Sequence, residues 1–366
     1  MNSSDRHRAA SAAPNQNNKE KTMKTRITTL FGIKHPIILS GMSWISTPEL
    51  VAPVAEAGGL GILATGVLKP EQTRDYIKRT RQLTKKPFAA NVTLYFPGSE
   101  KNANVIIEEK VPVVNYALGK GDWICKAVHA YGGKVVATVT TLKHALAAQK
   151  DGADALIVTG HEAAGHGGDV TSLALVPHIA ESVDIPVIAA GGFADGRGLM
   201  AALALGAEGI SMGTRFMNTV ESPVHEIQKK MSIEKSPYDT IYTDKFDGLP
   251  ARMMTTPGSR KLMKKKLNPL SALIRSKQIT TLLGLPWLKL AAYIMLSGPK
   301  NSIKMARMAI GFKAFEVGTM NGDNVKGILP LGQITGIIHD TPTVKQVIDR
   351  IIKEATAVEK RLAKTI

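Results

Sequence analysis

The chain has 366 residues, 47 Lys+Arg against 30 Asp+Glu, and a formal net charge of +17. With 44% hydrophobic residues it can bury a sizeable core, which excludes wholesale disorder; the length admits two domains or one large α/β barrel carrying an insertion. The single cysteine, Cys125, excludes an intramolecular disulfide framework and a thiolate-rich metal site, and it fits a reducing cytoplasm.

The positive charge sits in two places. Residues 1–26 carry a net +4, and residues 229–313 a net +13, with seventeen basic side chains against Glu234, Asp239, Asp244 and Asp247. Everything else is neutral. The first block is polar and lacks periodic apolar residues, so a disordered tail is expected over 1–26. It has no apolar core of a secretory signal, and Asp5 and Glu20 make it a poor transit peptide.

From residue 35 short apolar runs alternate with helical periodicity. Strands are predicted at 36–41, 59–66, 87–95, 111–119, 134–139, 155–160, 186–191 and 209–216, and helices at 47–57, 71–83, 142–150, 172–182 and 198–205. Continuous apolar strands imply a parallel sheet buried on both faces. Eight strand–helix alternations point to a (β/α)8 TIM barrel, ahead of a doubly wound sheet. Beyond Met217 the barrel's closing helix is missing. We therefore expect a mostly helical, basic insertion or lid over 222–315. The barrel would comprise 27–221 and 316–366, with an amphipathic helix over 344–362 packing back on it. The apolar stretch 279–297 is interrupted by Pro286 and Lys289, which favours a helical hairpin over a membrane span. The basic run at 260–266 beside it leaves room for weak contact with a membrane surface.

A barrel of this kind builds its site at the C-terminal ends of the strands. Those ends read Ser40-Gly41-Met42, Thr65-Gly66, Asn91, Tyr116, Thr138, Thr159-Gly160, Gly191-Gly192 and Gly213-Thr214. They are small or hydrogen-bonding and almost uncharged, which suits a large, flat, partly apolar ligand better than a metal. Gly191-Gly192 opens a helix and Gly213-Thr214 ends the eighth strand, the pair of loops where barrels hold phosphate. Arg215 is a candidate for added charge there. The loop after strand six carries His161 and His166 five residues apart, which on a helix is a rotation of about 140°. That spacing and the glycines at 165, 167 and 168 reject a zinc-protease motif. His166, flanked by those glycines, is the candidate acid–base residue, with His161 behind it. His35, His129, His144, His178, His225 and His339 read as structural, and Cys125 as a small buried apolar residue.

Taken in order, HisProIleIleLeuSerGlyMet (35–42), AlaGlyGlyLeuGly (57–61), AsnValThrLeu (91–94), HisGluAlaAlaGlyHisGlyGly (161–168), AlaAlaGlyGlyPheAlaAspGlyArgGly (189–198), MetGlyThrArgPhe (212–216) and ProLeuGlyGln (330–333) resemble the nitronate monooxygenase (2-nitropropane dioxygenase-like) family. The resemblance implies an FMN-dependent barrel whose second domain covers the flavin. It implies that Ser40, Gly41 and Met42 line the flavin, that Asn91 hydrogen-bonds it, that Gly165 lies beside the ring system, and that Gly191, Gly192, Gly213 and Thr214 hold the phosphate. His166 matches the family's active-site histidine. Relatives often carry lysine where this chain has Thr138. Two enzymatic readings follow from the resemblance. The leading one is oxidation of alkyl nitronates with O2, a nitronate monooxygenase. The other is NAD(P)H-dependent reduction of quinones or enoyl thioesters, to which AsnValThrLeu…Pro97 and PheAlaAspGlyArgGly are closer. The expected partner is a small molecule, with a homodimer also in view. A nucleic-acid binder would need aromatic interleaving or a reading motif, and the basic block has neither.

Overall fold

The structure, a computed structural model, describes residues 23–95, 98–265 and 298–365. The apolar runs form β1 (Ile37–Leu39), β2 (Leu60–Ala64), β3 (Ala89–Thr93), β4 (Val113–Ala117), β5 (Lys134–Val139), β6 (Ala155–Thr159), β7 (Val187–Ala190) and β8 (Ile210–Met212). Neighbours pair in parallel, and β8 returns to β1 with Ile37 opposite Ile210 and Leu39 opposite Met212, closing the barrel. Most strands are shorter than predicted, because the prolines and glycines at their edges leave the ladder.

Between the strands run α2 (Pro48–Glu56), α3 (Pro70–Leu83), α4 (Ser99–Glu108), α5 (Asp122–His129), α6 (Leu142–Lys150), α7 (Ser172–Ala180) and α8 (Gly196–Ala204), while α1 (Arg26–Phe31) precedes β1. Arg26, expected in the tail, instead opens α1, and its guanidinium pairs with Glu208. Alternate strand residues face opposite ways. Leu39, Leu63, Ala90, Val114 and Ala137 meet the helices. Ile38, Ile62, Ala89, Val113, Val136, Ile157 and Ile188 fill the barrel, joined there by Ile27 and Phe31 of α1. The short helix α1 is thus a hydrocarbon stopper at the N-terminal end of the strands.

After β8 come a single-turn helix, α9 (Thr214–Met217), and then the insertion: α10 (Glu226–Ile233), strands β9 (Thr240–Thr243) and β10 (Ala251–Met254), α11 (Pro257–Lys264) and α12 (Gly298–Asn321). The antiparallel β9–β10 hairpin interrupts a segment expected to be helical. With α12 it builds a second small core from Phe246, Ala251, Met253, Met308, Phe312 and Phe315. The expected hairpin of 279–297 lies outside the described residues. No helix among them is long and apolar enough to cross a membrane.

The last helix, α13 (Val344–Leu362), packs between α8 and α2 and fills the eighth place in the outer ring. Gly196 makes this possible. A Cβ there would lie 2.3 Å from Ala355 N and 2.6 Å from Ile351 O.

Candidate active site

The barrel interior changes character along its axis. In the same inward phase as the hydrocarbon layers, the C-terminal ends carry Ser40, Asn91, Asn115, Thr138, Thr159 and Ser211. They are linked across strands. Ser40 Oγ lies 2.8 Å from Ser211 Oγ, while Asn115 Nδ2 donates to Val136 O at 3.0 Å and to Thr138 Oγ1 at 2.9 Å. Asn91 Oδ1 accepts from Thr65 N at 3.1 Å. The result is a neutral crown of hydroxyls and carboxamides. Gly41 sits against it, since a Cβ there would be 2.9 Å from the Asn91 carboxamide. A Cβ on Gly213 would meet Met42 Sδ at 3.2 Å. Ser40, Gly41, Met42, Asn91, Thr138, Gly213 and Thr214 therefore share one end of the barrel.

Sequence reading took Tyr116 as the end of the fourth strand. The structure turns Tyr116 to the helix side, where it is buried and burial pushes its hydroxyl pKa up; Asn115, one residue earlier, is the one that joins the crown. The period-two alternation from Val113 carried that signal.

Gly191 and Gly192 both adopt left-handed backbone, φ 90° and 82°, which favours glycine. Sequence reading added the N-terminus of the following helix to this phosphate site. The structure gives those amides to protein carboxylates: Gly198 N donates to Asp195 Oδ1 at 2.9 Å and Gly196 N to Glu354 Oε2 at 2.9 Å. Two acidic groups at that helix end disfavour an anion there. The loop glycines and the Gly213-Thr214 end remain. Thr214 Oγ1 accepts from Gly332 N at 3.1 Å, tying this end to the segment before α13. Arg215 is not available to an anion. It is buried, with Nη1 2.9 Å from Asp340 Oδ1 and Nη2 bonded to the Asn218 and Asp340 carbonyls, and burial lowers its pKa.

The loop after β6 is joined to the insertion. Gly165 N donates to Arg252 O at 3.1 Å, and Arg252 N returns to Gly165 O at 2.9 Å. Gly165 has φ 66° and faces open space where a Cβ would stand. The Arg252 guanidinium is buried on the His161 carbonyl, at 3.0 and 3.2 Å, and burial lowers its pKa. Tyr242 Oη donates to Gly167 O at 2.9 Å. His161 stacks edge-on against Tyr242 and bonds Gly168 O, so it is structural. His166 lies between these ties. Its Nε2 is 2.8 Å from Asp247 Oδ2, the His166 side chain being 30% exposed and that of Asp247 3%. Sequence reading counted Asp247 only as a charge, because 81 residues separate the pair. On the β1 side Trp44, just after Met42, packs on Phe312 and Phe315 of α12.

Other candidates fall away. Burial pushes the Cys125 thiol up to about 12, which leaves no thiolate for chemistry near neutral pH. His129 pairs with Asp154 and His225 caps α10. No metal-holding cluster of His, Cys, Asp or Glu occurs among the described residues.

The sequence profile of the nitronate monooxygenase family matches residues 24–104 and 96–354. The chain is 36% identical over 339 residues to the (3aS,4S,5R,7aS)-5-hydroxy-7a-methyl-1-oxo-octahydro-1H-indene-4-carboxyl-CoA dehydrogenase of Rhodococcus jostii, spanning 91% of this chain and 96% of that protein. It is 34% identical to a probable nitronate monooxygenase of Staphylococcus aureus, over 63% of this chain and 78% of that one. Among solved structures, FabK from Thermotoga maritima superposes with a TM-score of 0.81 at 38% identity, covering 94% of this chain and all of FabK.

Proposed function

We propose that this chain, which belongs to the nitronate monooxygenase family and is an oxidoreductase, uses bound FMN to oxidise or reduce the carbon chain of an acyl thioester. The observation that carries the thioester is the extent of similarity. The CoA-ester dehydrogenase matches through the basic insertion, over 91% of this chain, whereas the nitronate monooxygenase relative spans 63%. The insertion, whose described residues meet the barrel at Gly165 and Trp44, belongs to a segment of net charge +13, which favours approach of a polyanionic carrier such as coenzyme A.

The residues present fit a flavin. The crown offers neutral hydrogen-bonding groups and no competing charge, Gly165 leaves backbone uncovered, and Gly191-Gly192 and Gly213-Thr214 supply glycine-bearing ends for a phosphate. In this reading Ser40, Gly41, Met42, Asn91 and Thr138 line the ring system, and residues 222–315 act as a lid on the barrel of 27–221 and 316–366. When bound, the flavin supplies a two-electron acceptor or donor, with NAD(P)H as the donor in the reducing direction. His166, at the lid-side edge of the site, moves the proton at the carbon next to the thioester carbonyl. The insertion contacts at Gly165 and Gly167 keep water from that edge.

Nitronate oxidation is the second reading, favoured by His166 and by the Staphylococcus relative. Anaerobic mixing of FMN-loaded protein separates the two. A saturated acyl-CoA should bleach the visible flavin absorbance, or NADH should bleach it and an enoyl-CoA restore it. Bleaching by propionate 3-nitronate alone, with both thioesters inert, replaces the first reading with the second. A protein that takes up no flavin ends both.

A further inference from the structure

We infer that Asp247 is a positioning residue that holds His166 as its Nε2–H tautomer and so makes Nδ1 the atom that exchanges a proton with substrate. The proton-transfer half rests on the acid–base role given to His166 above; the tautomer half does not.

An ionised carboxylate only accepts hydrogen bonds, so Asp247 Oδ2 at 2.8 Å requires the proton on Nε2. A neutral imidazole carries one N–H, which leaves a lone pair on Nδ1. Among the described residues Nδ1 has no partner, and the His166 side chain is 30% exposed against 3% for Asp247. The carboxylate is fixed from behind. Its Oδ1 accepts from Leu249 N at 3.1 Å. Gly248 turns the chain with φ 90°, and a Cβ there would strike Lys304 of α12 at 2.7 Å. At Gly311, also on α12, a Cβ would lie 2.8 Å from Asp247 Cβ, so helix and carboxylate approach as only glycine allows.

Four other charged groups near this loop are engaged elsewhere. The Lys304 ammonium lies over the Tyr95 ring at 5.0 Å, Arg252 is on the His161 carbonyl, and Glu162 accepts from Ser172 N and Oγ. Asp169 meets Tyr242 Oη at 3.4 Å. Asp247 is thus the carboxylate that serves His166. In the step itself the substrate C–H bond breaks, an Nδ1–H bond forms, and the electron pair stays on the carbon acid. Asp247 faces the imidazolium so produced, and the reverse step returns the proton.

The test is nitrogen NMR of histidine-labelled, FMN-loaded protein together with Asp247→Asn and His166→Asn. In the wild type the neutral His166 ring should show a protonated Nε2 and a bare Nδ1. In Asp247→Asn, whose amide can also donate, the bare-Nδ1 form should lose its dominance, and kcat with butyryl-CoA or propionate 3-nitronate should fall about 10²- to 10⁴-fold with KM little changed. The double variant should lose no more than His166→Asn alone, because the two act as one unit. A wild-type ring protonated on Nδ1 overturns the proposal. So does a double variant whose losses multiply. If neither probe turns over, the functional reading fails, and the wild-type spectrum still decides the tautomer.

Discussion

The two ends of the barrel are built on the same strands and could hardly be less alike. At the N-terminal end the inward residues are Ile38, Leu60, Ala89 and Val113, stoppered by Ile27 and Phe31 of α1. At the C-terminal end the same alternation yields Ser40, Asn91, Asn115, Thr138 and Ser211, with a histidine and the insertion beyond. The contrast separates stability from chemistry. One end can be tuned for burial alone because the polar groups of the crown lie at the other, some residues further along each strand.

That separation predicts mutations with clean signatures. The largest effect belongs to the polar end. His166→Asn should lower kcat by about 10²- to 10⁴-fold while flavin uptake and thermal stability stay near wild type. Unchanged turnover in steady-state assays would remove His166 from the chemistry. At the other end Phe31→Ala should cost about 3–5 kcal/mol in denaturant titration, with turnover per folded molecule unaltered. A loss of turnover per folded molecule there would break the contrast.

Smaller effects probe the rim that joins the ends. Gly196→Ala should cost about 1–3 kcal/mol by pushing α13 off α8, read as a lowered melting temperature. The Asp340–Arg215 tie tests pH. Burial alone would raise the Asp340 pKa, but the hydrogen bond from Arg350 and the charge of Arg215 hold it below the ordinary carboxylate range. A carboxylate depressed in the folded state stabilises above its unfolded value and loses that contribution as pH falls through the folded one. Asp340→Asn should therefore cost about 0.5–1.5 kcal/mol at neutral pH and flatten the acid limb of stability. An acid limb identical to wild type would show the tie contributes nothing.

Much of this was legible in the sequence, and the failures have physical causes. All eight strands fall within the predicted ranges, because parallel buried strands announce themselves as apolar runs. The helix Val344–Leu362 was readable to the residue from its amphipathic period. Asp247 was not readable, since its value depends on a hairpin that brings it to a loop far away in the chain. A signal for that hairpin did exist. Asp247-Gly248 is a turn dipeptide between ThrIleTyrThr and AlaArgMetMet, and it was masked by the charge of the block around it. Asp195 likewise stood in plain view before a helix, where an N-cap competes with any anion. Arg215 was undecidable, because either side of its single-turn helix was open to it.

The placement of α13 has a consequence for how the molecule is made. The outer ring between α8 and α2 is completed by a segment that follows the entire insertion. On the ribosome, where synthesis runs at about 5–20 residues per second, all eight strands emerge well before the helix that shields that flank. For those seconds the faces of α2 and α8 that α13 covers lack their cover. The insertion must finish before the barrel can.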